Sequence, residues 1–278
     1  AISVELVDFG QETAPRNDLM KDVGSYTGTG YDGRGSAEAR ARLARSEGGS
    51  DASEAAVAAA LRWIADHQLQ DGGWSVDHRI GPILNGRPRT SDHPGTSAQA
   101  RRAATAMAIM PFLGAGQTHK EGKYRTTVQG GLTFLINNMK PDGSLHEAQG
   151  NMYSHGLAAI ALCEAYGMTH DKALMVPAQA SLNFISYAQD PIGGGWRYSP
   201  RQPGDTSVVG WQLMALKSGH MSYLQVNPLT IRGAIKFLDT VQANSGSFYG
   251  YTDPGQGPAT TAIGLLCRMY LGWKQENE

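Results

Sequence analysis

Trp63-Ile64-Ala65-Asp66-His67-Gln68-Leu69-Gln70-Asp71-Gly72-Gly73-Trp74 decides how this chain is read, because reduced copies of it return three times downstream. The second copy carries Phe134-Leu135, Met139 and Gly143-Ser144-Leu145. The third carries Phe184-Ile185, Gln189 and Gly194-Gly195-Trp196, and the fourth Phe237-Leu238, Gln242 and Gly246-Ser247-Phe248. The leading aromatics recur at roughly fifty residues, with an insertion of about twenty in the first interval, so one supersecondary unit is repeated along the chain.

Each copy ends an amphipathic helix and precedes a helix of small apolar residues. The first amphipathic helix opens at Asp51-Ala52-Ser53-Glu54, a capping-box spacing, and turns Ala56, Ala60, Trp63, Ile64 and His67 to one face. Gly72-Gly73 stops it. The small-apolar helix after it starts at Thr96-Ser97 and runs to Leu113. The alternation continues over 127–138 and 152–166, then 176–188 and 206–218, then 229–242 and 259–271. A helix apolar on every side is buried on every side, whereas an amphipathic one keeps a solvent face. Eight such helices describe an inner row wrapped by an outer row, and no β-branched alternation predicts a sheet.

The array spans 51–278. Residues 1–50 form a loop-rich N-terminal segment with a short helix over Ala37–Ser46. Within that segment Gly28-Thr29-Gly30-Tyr31-Asp32-Gly33 has the spacing of a dinucleotide loop, but no apolar strand precedes it to aim a helix at a pyrophosphate. The net charge of −1 and the absence of a basic stripe argue against nucleic acid, and no run is long and apolar enough to span a bilayer. Arg79, Arg87, Arg89, His78 and His93 give the insertion a cationic cast that suits a solvated loop better than a phosphate site. Cys163 and Cys267, each in a small-residue helix, read as buried thiols and leave the compartment open. An initial Ala in place of Met suggests a processed chain or a fragment.

An aromatic-aliphatic pair, a Gln, then Gly-x-Trp resembles the QW repeat of squalene and terpenoid cyclases, whose superfamily includes the protein prenyltransferase β subunits. The resemblance runs from Asp51 to Trp273. It implies an all-α fold, an α/α toroid of about four helical hairpin repeats; with this helix count the expectation is an open arc or incomplete ring, a smaller closed ring, or part of a longer chain. In that motif a Gln near the outer helix's end is expected to bond orphan carbonyls and the Trp to stack on it and cover the helix end, tying each outer helix to its neighbour.

The same resemblance points to chemistry at the inner-helix starts. Class II cyclases protonate an alkene from an Asp-x-Asp-Asp-Thr-Ala motif. Gln202-Pro203-Gly204-Asp205-Thr206-Ser207 is the nearest match, keeping the last Asp and the Thr, with Gly204 where the family's proton donor stands. Asp205 is the candidate catalytic residue, with a helix N-cap as its structural alternative. Tyr153, His155, Arg197, Tyr198, Thr206, Trp211, Tyr249 and Tyr251 are candidate substrate-binding residues, their rings suited to an apolar cavity or a developing carbocation. Prenyltransferases hold zinc through Asp, Cys and His. His155 and Cys163 lie about 12 Å apart along one helix, too far to share one ion, so no metal or other cofactor is expected. The Gly-Cys-Gly-Glu-Gln run of the related thioester domains is absent.

Two functions follow from this reading: an enzyme-like domain with an aromatic-lined cavity for an isoprenoid-type ligand, or a noncatalytic α/α scaffold that binds a protein, lipid or glycan. Self-association, or further repeats of a longer chain, would cover apolar faces left by an open arc.

Overall fold

The structure, a computed structural model, describes residues 31, 34, 36–46, 48–77, 80 and 98–272. Apart from Tyr31, the glycine run 28–33 lies outside the described residues, as do His78, Arg79, Arg87, Arg89, His93, Thr96, Ser97 and Trp273.

Among the described residues the helices are α1 (Ala37–Ser46), α2 (Asp51–Asp66), α3 (Arg101–Gly114), α4 (Arg125–Asn137), α5 (Asn151–Thr169), α6 (Lys172–Ala188), α7 (Thr206–Met221), α8 (Pro228–Val241) and α9 (Pro258–Tyr270). A two-residue antiparallel ribbon, β1 (Gln242–Ala243) with β2 (Phe248–Tyr249), precedes α9. The fold is all-α. The inner helices α3, α5, α7 and α9 pack side by side in chain order. On their backs α4 lies against α3, α6 against α5 and α7, and α8 against α7.

Burial follows the two helix types. Helix α5 is buried almost throughout, from Met152 to Gly167, as its small apolar composition requires. The outer helices α4, α6 and α8 bury one stripe each, for instance Ile231, Ala234, Phe237, Leu238 and Val241 of α8. Helix α2 departs from expectation: Leu61 is its one buried residue, and Trp63 is 48% exposed. Residues 51–60 are exposed throughout, and α2 packs on α3 at the end of the row. Its N-cap is also shifted by one residue, with Ser50 and Ser53 bonding reciprocally.

The repeated motif ties each outer helix to the next, as expected, through partners the sequence did not name. Gln68 Nε2 donates to Gly72 O of its own loop and to Thr127 O in the first turn of the next outer helix, at 2.8 and 2.9 Å. Gln189 does the same to Gly194 O and Thr230 O, at 2.7 and 2.8 Å. The carbonyls at each helix's own end are met instead by tryptophan: Trp74 Nε1 donates to Ile64 O and Trp196 Nε1 to Ile185 O. In the fourth unit the buried aromatic is Tyr249, fully covered, and not Phe248, because the ribbon moves the chain on by one residue.

Candidate functional site

The N-terminus of each inner helix leaves amide N–H groups without helical partners. For three of the inner helices the following unit supplies acceptors. The Glu147 carboxylate accepts from the Arg102 and Ala103 amides of α3. The Met152 amide of α5 donates to Tyr198 O at 3.1 Å, and the Thr206 amide of α7 to Tyr251 O at 2.9 Å. Glu147, Tyr198 and Tyr251 each stand two residues after the motif's closing residue, Leu145, Trp196 or Tyr249. The repeat therefore fixes the backbone of Tyr198 and Tyr251 over the inner-helix starts and so positions their side chains.

Those side chains meet there. The Tyr198 and Tyr251 hydroxyls lie 2.6 Å apart, and the Tyr153 and Tyr198 ring centres 6.2 Å apart. Tyr153 donates to Ser207 Oγ at 2.8 Å across α5 and α7. The Arg197 guanidinium lies over both the Tyr198 and Tyr251 rings, at 5.5 and 5.9 Å from their centres. Thr206 Oγ1 donates to Gly250 O at 2.6 Å, which fastens the loop that carries Tyr251. Trp211, half-buried, lies one turn farther along α7, with its Cβ close to Gly156 of α5.

Asp205, the N-cap of α7 next to Thr206, has no solvent exposure. As expected of an N-cap, its Oδ1 accepts from the Val208 amide at 2.9 Å. Its Oδ2 is buried without a hydrogen-bond partner, the nearest cation being Arg197 Nε at 3.9 Å. Burial pushes the carboxyl above the ordinary aspartate range, while the Val208 amide, the Tyr251 hydroxyl and Arg197 pull it back in part. Burial likewise raises the Tyr153 phenol. Tyr251 is raised by burial and then by Tyr198 and Asp205, since a phenolate there would face existing negative charge.

Two candidates lie elsewhere. His155 points to the back of α5: its Nδ1 accepts from the Leu145 amide, its Nε2–H donates to Ser181 O, and its ring packs on Phe184 of α6. Burial lowers its pKa to about 4, so it is a neutral imidazole tying α5 to the motif loop and to the outer row. Tyr249 is buried against Gly264 of α9, its hydroxyl accepting from Arg268 Nε. Both were placed at the mouth by their closeness in sequence to residues that are there. Ser207 is a member the sequence reading missed, although it directly follows Asp205-Thr206.

A groove of about 950 Å3 lies away from this cluster, between α1, α2 and the end of α3, lined by Arg40, Ala44, Ala58, Leu61 and Pro111 among others. Among the described residues no three of His, Cys, Asp and Glu gather as metal ligands would, and no helix is long and apolar enough to cross a membrane.

The paired helical rows and the interlocked motif loops define an α/α repeat domain of the toroid class. Residues 39–160 match the family model of the squalene-hopene cyclase C-terminal domain, which places the chain's likeness in the squalene/terpenoid cyclase superfamily. The match spans α1 to the middle of α5, so Tyr153 lies within it and Arg197, Asp205 and Tyr251 beyond it. No curated protein matches the chain.

Proposed function

We propose that this terpenoid-cyclase-like domain takes an isoprenoid-type ligand at the inner-helix starts and that Asp205 is its proton donor. The observation that carries the reading is the Asp205 carboxyl: fully buried, with one oxygen unpartnered, its pKa raised by burial, and within electrostatic reach of Tyr251 and Arg197. A carboxyl whose proton is held more tightly than an ordinary aspartate's is the kind of group that general-acid protonation of an alkene uses. The O–H bond breaks as a C–H bond forms from the alkene π electrons. The carbocation left behind is stabilised by the electron-rich ring faces and by the new carboxylate. Arg197 now lies over the two rings nearest Asp205, so the ligand displaces its guanidinium toward solvent on entering.

Incubating the folded protein with squalene and with geranylgeranyl diphosphate, with products read by mass spectrometry, tests this. Cyclised product that disappears in Asp205→Asn supports the reading. No product from either substrate, with no ligand-induced change in tyrosine fluorescence, overturns it. A noncatalytic scaffold is favoured by one observation, the use of Asp205 Oδ1 as an N-cap, and predicts fluorescence changes on ligand binding without turnover.

A further inference from the structure

Helices α5 and α7 share a face with two polar rungs. At the mouth Tyr153 meets Ser207. Eleven residues farther along each helix, about 16 Å away at the α-helical rise, Ser218 Oγ lies 3.4 Å from Glu164 Oε1. The intervening positions on this face include Leu157, Ile160, Trp211 and Met214. The second rung is covered from outside the repeats. Tyr31 is 4% exposed, its ring set against Gly167, where a Cβ would come within 2.5 Å of the ring. Its hydroxyl is directed at Ser218 O, 3.5 Å away. Arg34 Nη1 reaches Glu164 Oε2 at 2.6 Å while its guanidinium lies over the Tyr31 ring. Arg40 donates to Arg34 O beside Gly116, just past the end of α3.

We propose that Tyr31, Arg34 and residues 36–46 form a detachable strap across the C-terminal ends of α3, α5 and α7, latched by Tyr31 and Arg34, and that its release bares the Glu164–Ser218 rung. Helix α1 buries none of its described side chains, and ten residues are too few to hold a helix in water unaided. Its order therefore depends on the anchors. The receiving helices are buried almost throughout and do not depend on it. A segment with few buried contacts opens at a cost far below global unfolding. This proposal does not depend on the isoprenoid reading.

Hydrogen exchange on the full chain, read by mass spectrometry, tests it. In Tyr31→Ala and in Arg34→Gln, amides 37–46 are expected to exchange at least about tenfold faster than in the unaltered protein, with 152–167 and 208–218 unchanged. Glu164→Gln, which breaks the latch from the other side, gives the same result, and Arg42→Gln on the exposed face of α1 does not. Unchanged exchange over 37–46 in both strap variants overturns the proposal. So does an equal rise in α5 and α7, which would make Tyr31 a core residue of the repeats.

Discussion

Asp205 combines two properties that oppose each other. Its carboxyl caps α7, yet burial raises its pKa, so ionising it in the folded state costs free energy. For a carboxyl raised on folding, the stabilising contribution is full below the unfolded value, about 3.9, and is lost as pH rises toward the folded value. Asn caps a helix about as well as Asp and carries no charge. Asp205→Asn is therefore expected to match or exceed the parent in urea stability at pH 7, to lose that advantage near pH 3, and to abolish any turnover. His155 works in the other direction. Its pKa is lowered to about 4, so its contribution is present above the unfolded value near 6.5 and drains as pH falls toward 4. The loss should be on the order of 3 kcal/mol by linkage, visible as steep acid destabilisation that His155→Gln flattens. Tyr223 holds φ 60° at the turn after α7, where the corresponding turns after α3 and α9 have Gly116 and Gly272. Its ring is 79% exposed, so Tyr223→Gly should gain about 0.5–1 kcal/mol in denaturant unfolding by relieving left-handed strain.

At the scale of elements, the motif glutamine needs a small partner. Gly130 and Gly233 face Gln68 and Gln189 so closely that a Cβ on either would lie 2.8 or 2.6 Å from the amide nitrogen. In the second unit both members of the arrangement differ: Met139 stands for Gln, and Ala180 lies where the other outer helices have Gly. Met139→Gln alone should collide with the Ala180 methyl. Paired with Ala180→Gly it has room to form the clamp, and a double-mutant cycle in urea should show a favourable coupling of about 1 kcal/mol. The helices were legible, Ala37–Ser46 to the residue, because periodicity and composition are local properties, although α3 starts at Arg101 after a turn over 98–99 rather than at Thr96-Ser97. The partner of each glutamine was not, since Thr127 lies 59 residues from Gln68 and no local pattern joins them.

At the scale of the molecule, the row of inner helices has unequal ends. Helix α5, flanked by α3 and α7 and backed by α6, is enclosed, whereas α2 at the end of the array has Leu61 as its one buried residue. In an array bound by nearest-neighbour contacts, the end units open first. Amide exchange should thus be fastest in α2 among the helices of the repeats, slowest in α5 and α7, and graded between them. The candidate site was partly legible on the same terms. Arg197, Tyr198, Asp205, Thr206 and Tyr251 converge because the loop of one unit caps the inner helix of the unit before it, and the repeat period already set that register. His155 and Tyr249 diverge because a helix position and a one-residue shift in a ribbon turn them to the other side.

The sequence by itself determined the class of fold: the recurring aromatic, glycine and tryptophan positions, and the alternation of amphipathic with wholly apolar helices, admit little but paired helical rows. Only the tertiary structure decided which of two adjacent residues faces the site, which helix each glutamine holds, and that Tyr31 and Arg34 cover Glu164. The physical reason is that helix formation and burial are read from neighbours along the chain, whereas the raised pKa of Asp205 and the placing of the strap depend on groups brought together by packing.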